Sequence, residues 1–154
     1  MSVNIRLAAA IIALIAPVLT HGLPARAQTQ QQLDWCTGKD IVPPDQVIGG
    51  CTALIQSGKF TGKNLAAAFT NRGIAYANKD QTDRAIQDHD QAIKLDPNDA
   101  RALNIRGNAY LSNGQADRAI QDHDQAIRLN LNNVLVIDSR SRAVARKLNP
   151  NIGR

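Results

Sequence analysis

A stretch of eleven residues, 83–93, recurs without a single change as residues 117–127, which lie 34 positions further along the chain. Aligning residues 66–99 with residues 100–133 gives 20 identical positions in 34. A fixed period of this length indicates one supersecondary unit that stacks on copies of itself. We therefore expect an open solenoid rather than a closed globule. Because a solenoid presents an extended surface, we also expect its function to be binding.

Each 34-residue unit carries apolar residues at the three- and four-residue spacing of a helix. In the first unit this spacing predicts one helix from Asn64 to about Asn78 and a second over residues 82–95. Asn98 or Asp99 is expected to cap the helix that follows. No alternation typical of strands occurs, so the predicted fold class is all-α. The predicted inward residues are Ala66, Phe69, Gly73 and Tyr76 on the first helix, and Ala85, Ile86, His89, Ala92 and Ile93 on the second.

Glycine inside a helix has a packing explanation here. A glycine costs about 1 kcal/mol against alanine within a helix, so a close approach between helices is the expected compensation. We expect Gly73 and Gly107 to face Ala85 and Ala119 across their hairpins. A last helix over residues 133–148 is a half-repeat without a partner. Its predicted inward residues are Val134, Ile137, Ser141 and Val144, each 34 positions beyond an inward residue of the preceding unit.

The first 27 residues have the organisation of a signal peptide. Arg6 precedes an apolar run over residues 7–19, and residues 25–27, Ala-Arg-Ala, place small side chains where a signal peptidase cleaves. The run is shorter than the roughly 20 residues that span a bilayer. We expect an exported protein, periplasmic or secreted, that begins at Gln28. A retained N-terminal anchor helix is the alternative.

Cys36 and Cys51 are the only cysteines, and an even pair in an exported chain indicates a disulfide. A loop of this size restrains the unfolded chain by about 3 kcal/mol. A metal site would need further histidine or cysteine ligands nearby in sequence, and a Cys-x-x-Cys redox motif is absent. The predicted organisation is a signal peptide (1–27), a disulfide-tied degenerate repeat (28–63), two full repeats (66–99 and 100–133), and a capping helix with a basic tail (134–154).

The formal net charge is +5, and residues 134–154 carry five cations against one acid, Asp138. This segment supports an alternative function, in which an envelope protein binds anionic glycan or phospholipid headgroups. It lacks aromatic residues for base stacking, so no nucleic-acid partner is predicted. All 13 acidic residues are aspartate, which excludes any mechanism built on a glutamate acid or base.

The two full units share a set of residues at matching positions: Gly73, Tyr76, Ala85, Ala92 and Pro97 in one unit, and Gly107, Tyr110, Gly114, Ala119 and Ala126 in the next. With these residues they resemble the tetratricopeptide repeat. That resemblance implies a right-handed solenoid of helix hairpins, here with a C-terminal capping helix, and a concave groove that can bind a protein or peptide. The sequence shows no Ser-His-Asp, Cys-His or paired-carboxylate arrangement and no glycine-rich phosphate loop, so we expect a non-catalytic protein without a cofactor.

The resemblance places the groove on the first helix of each pair. The family's clamp for acidic C-termini needs lysine where this chain has Thr70 and asparagine where it has Ile74, so no such clamp is expected. Arg101, Asn104 and Asn108 still provide a polar strip that can bond an extended peptide backbone. The predicted groove residues are Thr70, Ile74, Ala77, Arg101, Asn104, Asn108, Leu111, Asp138 and Arg142.

His89 and His123 each stand between two aspartates, in positions that are usually aromatic in the family. Adjacent residues on a helix point about 100° apart, so the aspartates do not converge with the histidine on a metal. We expect each histidine to be a core residue bonded to a neighbouring polar group. No metal site and no catalytic residues are predicted.

Arg72, Arg106 and Arg140 recur every 34 residues and should form a ladder along the stack. Such a row can bind phosphate or carboxylate. The simpler interpretation pairs each arginine with an aspartate of its own hairpin, which is Asp88 or Asp90 in the first unit and Asp122 or Asp124 in the second.

Residues 134–137, Val-Leu-Val-Ile, place four apolar side chains in a row on the last helix. They cannot all face inward, so Leu135 or Val136 is a candidate contact for a partner or a second copy. Like charges on the same helix oppose a symmetric dimer. The expected state is a monomer or a weak homodimer.

Overall fold

The computed structural model describes residues 25–38, 41–130 and 132–152. Those residues contain α-helices and no strand, which confirms the all-α helical repeat. The chain divides into residues 1–30 and residues 31–154, and only the beginning of α1 is described in the first unit. The helices are α1 (Ala25–Thr37), α2 (Pro44–Gln56), α3 (Gly62–Ala77), α4 (Thr82–Leu95), α5 (Ala100–Ser112), α6 (Ala116–Leu129) and α7 (Val134–Leu148).

The predicted signal peptide lies mostly outside the described residues. Only its last three residues, 25–27, are described, and they begin α1. Among the helices that the structure describes, none combines the length and the apolar character needed to cross a membrane.

Helices α3 and α4 form one hairpin, and α5 and α6 form the next. The close approach within each hairpin is between glycine and histidine. A Cβ added at Gly73 would lie 2.6 Å from Cε1 of His89, and one at Gly107 would lie 2.7 Å from Cε1 of His123. The expectation that the glycines face Ala85 and Ala119 was therefore wrong, because the imidazole ring lies against the glycine and fills that space.

Local signals fix several helix ends. The carboxylate of Asp99 accepts hydrogen bonds from the backbone N–H groups of Arg101 (2.9 Å) and Ala102 (3.2 Å), and so caps α5 as predicted. Helix α3 begins at Gly62, two residues before the Asn64 cap that the sequence suggested. The turns that follow α3 and α5 each contain one left-handed residue, Asp80 (φ 58°) and Gly114 (φ 74°).

The first hairpin, α1 with α2, is held differently. Cys36 and Cys51 form a disulfide with 4.6 Å between their Cα atoms. Here the glycine is on the second helix, where a Cβ at Gly50 would lie 2.9 Å from Cβ of Trp35. The side-chain amide of Asn71 donates a hydrogen bond to the backbone oxygen of Cys36 (3.0 Å), which attaches this hairpin to α3.

Helix α7 packs on α6 and α5 through Val136, Ser139 and Ala143, all of which are buried. The predicted inward set of Val134, Ile137, Ser141 and Val144 was wrong. In α3 and α5 the equivalent face packs on the second helix of the same hairpin, and no helix among the described residues takes that place beside α7. Val134 and Ile137 are consequently exposed.

Candidate functional site

The first helices of successive hairpins, α3, α5 and α7, contact one another in order and form one side of the stack. We call this surface the helix-A groove. Between α3 and α5 it contains a pocket of about 400 Å³. Three predicted groove residues, Ile74, Ala77 and Asn108, line that pocket. The other lining residues are Asn78, Asp80, Thr82, His89, Ile105, Ala109 and Ser112.

Two predicted groove residues are buried instead. Thr70 is 3% exposed, and it lies on a helix that α2, α4 and α5 all contact. Leu111 is 9% exposed and packs in a cluster with Ala119 and Ala143. Both belong to the interior because neighbouring helices cover their side of the helix, so neither presents its side chain to a ligand.

The remaining predicted residues lie along the groove but outside the pocket. Arg101 is exposed, and Asn104 is half-buried, with a side-chain oxygen that has no hydrogen-bond partner among the described residues. Arg142 pairs with Asp138 at 3.2 Å, one turn earlier on the same helix. The structure therefore brings Ile74 and Asn108 together in one pocket, and Arg101 and Arg142 lie outside that pocket.

The pocket combines apolar and amide side chains. Ile74 and Ile105 supply apolar surface from two different helices, and Asn78 and Asn108 each carry an amide that can both donate and accept. Sequence reasoning missed Ile105 and Asn78. Ile105 precedes Asn108 by three residues and so lies on the same helix face, a spacing that was available in the sequence.

Beneath the groove, the predicted arginine ladder connects the hairpins. Arg72 donates two hydrogen bonds to the carboxylate of Asp88, at 2.7 and 2.8 Å. Arg106 repeats this with Asp122 at the same distances, and its third nitrogen donates to Asp90 of the preceding hairpin at 2.7 Å. The first aspartate of each Asp-His-Asp sequence thus pairs within its hairpin.

The second aspartate of each sequence pairs forward. Asp90 accepts from Arg106, and Asp124 accepts from Nε of Arg140 at 2.5 Å. The expected pairing of each arginine within its own hairpin is confirmed for Arg72 and Arg106. The forward pairs, by which Arg106 and Arg140 also contact the preceding hairpin, were not predicted. These ion pairs raise the pKa of Arg106, first through its hydrogen bond to Asp122, so the guanidinium remains charged.

Aromatic rings cover the same arginines. The ring of Tyr76 contacts the guanidinium groups of Arg72 (5.9 Å) and Arg84 (5.5 Å). Tyr110 holds the equivalent place beside Arg106 (5.6 Å) and Arg118 (5.4 Å). Each contact stabilises by about 0.5–1 kcal/mol where it is exposed to solvent. The arginines of the ladder therefore hold the helices together, and each of them already has a carboxylate partner.

His89 and His123 are fully buried, and no ring nitrogen of either has a hydrogen-bond partner among the described residues. The predicted bond to a neighbouring polar group was therefore wrong. Desolvation lowers the pKa of His89 from 6.5 to about 4, and it also lowers the pKa of His123. Both rings are neutral packing groups at pH 7. The described residues hold no group of three side chains suited to a metal ion.

The cations of α7 have partners inside the protein. Lys147 pairs with Asp117 at 2.6 Å, and Arg146 donates to the backbone oxygen of Leu111 at 3.3 Å. With the pairs already described for Arg140 and Arg142, all four cations of this helix have at least one acceptor. This arrangement gives no separate support to a cationic patch for glycan or phospholipid.

Two family models match the sequence, and both are described as tetratricopeptide repeat, over residues 66–99 and 90–121. No curated protein matches it. The second TPR domain of human RPAP3 in complex with the HSP70 peptide SGPTIEEVD is similar in structure, with a TM-score of 0.67 and 23% identity. That similarity covers 77% of this chain and 97% of the RPAP3 domain.

Two further structures show the same fold. MamA has a TM-score of 0.69 and 24% identity over 77% of this chain and 68% of its own. The first TPR of Spaghetti (RPAP3) bound to the HSP90 peptide SRMEEVD has a TM-score of 0.66 and 19% identity, over 80% and 93%. The sequence repeat, the family matches over residues 66–121 and the shared helical fold agree: this part of the chain is made of tetratricopeptide repeats.

Proposed function

We propose that this protein is an exported, non-catalytic interaction module that holds an extended segment of a partner protein in the helix-A groove. The pocket between α3 and α5 carries this proposal. It combines the apolar side chains of Ile74 and Ile105 with the amides of Asn78 and Asn108. A peptide in extended conformation presents both an alternate side chain and free backbone groups to such a surface.

The similar structures support a peptide as the ligand. One RPAP3 domain was solved with an HSP70 peptide and another with an HSP90 peptide. In this chain the pocket differs from a carboxylate clamp, because Thr70 is buried and Ile74 is apolar. The proposed ligand is therefore an internal segment with an apolar anchor residue, and not an acidic C-terminus.

A binding role without catalysis is consistent with the groups around the pocket. The histidine beneath it, His89, is fully buried and its lowered pKa keeps the ring neutral, so it does not exchange protons with a ligand near pH 7. The tetratricopeptide repeat fold also generally acts as a scaffold. Export is supported by the signal-peptide organisation of residues 1–27 and by the Cys36–Cys51 disulfide, which persists in an oxidising compartment.

Selection from a library of random extended peptides, followed by fluorescence anisotropy, tests the proposal. Peptides selected on the wild-type protein should bind Asn108→Ala and Ile105→Asp at least tenfold more weakly. Gln121→Ala removes an amide from the exposed side of α6 and should leave the affinity unchanged. The HSP90 peptide SRMEEVD serves as the acidic C-terminal probe and should not bind. Unchanged affinity in Asn108→Ala and Ile105→Asp, loss of affinity in Gln121→Ala, or saturable binding of SRMEEVD would contradict the proposal.

A further inference from the structure

Helix α7 exposes an apolar stripe that the other first helices bury. Val134, Ile137, Ser141, Val144 and Leu148 follow one another at spacings of three and four residues and therefore share one helix face. Ile137 is 43% exposed and Leu148 is 80% exposed. We call this surface the α7 face. No helix among the described residues packs on it.

The equivalent faces of α3 and α5 show what covers such a surface. Moving back 34 residues from Ile137 and Ser141 gives Leu103 and Gly107, which are buried. The covering element is α6, which presents Ala119, His123 and Ala126 to α5. Its carboxylate Asp122 pairs with Arg106. The repeat therefore defines the geometry of a helix that would fit on α7.

Among the described residues, Arg140 forms one ion pair, whereas its equivalent in the preceding repeat, Arg106, forms two. Arg106 uses Nη1 for the preceding hairpin and both Nε and Nη2 for the carboxylate of its own hairpin partner. Arg140 donates from Nε to Asp124 of the preceding hairpin, and no acceptor for its Nη1 or Nη2 occurs among the described residues. Its side chain is 43% exposed. A cation beside an apolar stripe favours a helix that carries a carboxylate at this point.

Ser141 restricts the occupant further. It stands where Gly73 and Gly107 admit a histidine ring, and a Cβ at either glycine would lie within 2.7 Å of the ring. A helix with histidine at that position cannot approach α7 as closely as α6 approaches α5. The occupant therefore carries a small residue, such as alanine, one residue after its carboxylate.

We propose that the α7 face docks an amphipathic helix of a partner protein, in the way that α6 docks on α5, with an aspartate or glutamate on Arg140 and a small residue over Ser141. The proposal is independent of the helix-A groove, because the α7 face and the groove are different sides of the helix. A second copy of this chain is disfavoured as the occupant, since two α7 faces would bring their Arg140 side chains together.

Helix α6, the second helix of the second full hairpin, supplies the probe. We would prepare the peptide of residues 116–129 with His123→Ala, cross-linked between positions 117 and 121, which are exposed in α6, so that it remains helical. Anisotropy of this labelled peptide should show saturable binding to the full chain. The same peptide with Asp122→Asn added, and the peptide that retains His123, should each bind at least tenfold more weakly.

Changes in the protein complete the test. Ile137→Asp should abolish binding, while Arg142→Gln, which removes one charge from the groove side of α7, should leave it unchanged. Ser141→Gly should restore binding of the peptide that retains His123. The proposal is overturned if no peptide binds, if Asp122→Asn leaves the affinity of the peptide unchanged, or if Arg142→Gln weakens binding. It is also overturned if sedimentation shows that a second copy occupies the face and Ile137→Asp separates the two copies.

Discussion

The first hairpin and the repeated hairpins solve the same packing problem with different chemistry. Helices α1 and α2 are joined by the Cys36–Cys51 disulfide, and Gly50 lies close to Trp35. Between α3 and α4 the imidazole of His89 lies against Gly73, beside the ion pair of Arg72 and Asp88. One hairpin is joined covalently, and the other depends on a buried, neutral imidazole ring.

This difference predicts that the two regions respond to different conditions. A disulfide is indifferent to mild acid but breaks on reduction. A buried neutral histidine is indifferent to a reductant but resists protonation, so acid favours the unfolded chain. The hairpins should therefore be separable by choosing the perturbation, even though they pack on one another through Asn71 and Cys36.

Acid should give the largest effect. The pKa of His89 is about 4 in the folded protein against an ordinary 6.5, so between these values the unfolded chain binds a proton that the folded chain does not. Stability is then full above pH 6.5 and falls as the pH decreases toward 4, by on the order of 3 kcal/mol from His89 alone. The pKa of His123 is lowered as well and adds in the same direction.

Urea unfolding at several pH values measures this dependence. The double variant His89→Gln and His123→Gln should flatten the slope of unfolding free energy between pH 6.5 and 4.5, whatever its starting stability. Reduction of Cys36–Cys51 should leave the slope of the wild type unchanged. Equal slopes in the wild type and the double variant would show that the histidines are not the source.

Reduction should have the next largest effect. Opening the Cys36–Cys51 disulfide should lower the unfolding free energy by about 3 kcal/mol, because the unfolded chain regains the entropy of the closed loop. Circular dichroism should show that the repeats remain helical. The Cys36→Ala, Cys51→Ala variant is the matched control, since added dithiothreitol should not change it. Two reactive thiols in the untreated protein would contradict the pairing.

Gly73→Ala tests the glycine–histidine contact directly. The added methyl group would lie 2.6 Å from the ring of His89, and overpacking of this kind costs about 2 kcal/mol. Gly49→Ala is the matched control, because that helical glycine has no atom within 4 Å of an added Cβ and alanine there should stabilise by up to about 1 kcal/mol. Equal thermal unfolding of the two variants would mean that the ring moves aside freely.

The smallest expected effect concerns the turn after the first helix of each repeat. Asp80 takes a left-handed conformation in the turn where the next repeat has Gly114. Asp80→Gly should stabilise by about 0.5 kcal/mol, and Gly114→Asp should destabilise by a similar amount, because only glycine adopts this conformation without steric cost. A pair of chemical denaturation curves measures both. Changes of the same sign would indicate that the aspartate contributes a specific contact.

The sequence predicted the repeated helices well because their signals occur twice. Helix α4 was predicted over residues 82–95 and forms over that range, and Asp99 caps α5 as expected. The contact of Gly73 with His89 was not predicted, because spacing along one helix does not say which residue of the partner lies opposite. The burial of Val136 in place of Ile137 was missed for a related reason: the sequence pattern assumed a hairpin partner for α7.

The candidate site was predictable only in part. Ile74 and Asn108 were placed on the groove by register and both line its pocket. Thr70 and Leu111 share that register but are buried, because neighbouring helices cover them. A pattern along one helix does not show which of its residues another helix covers, so the accessible part of the groove had to come from the three-dimensional arrangement.

Arg106 lies sixteen residues after Asp90 and sixteen residues before Asp122, and it pairs with both. One copy of the 34-residue unit therefore already has the residues that join it to another copy. Every copy brings a donor for the copy before it and an acceptor for the copy after it. An array can therefore grow by in-frame duplication without any new interface evolving. The two ends of the series differ from its middle. The first arginine, Arg72, donates to the hydroxyl of Thr52 in place of a carboxylate, and the last arginine, Arg140, has one carboxylate partner, Asp124, among the described residues.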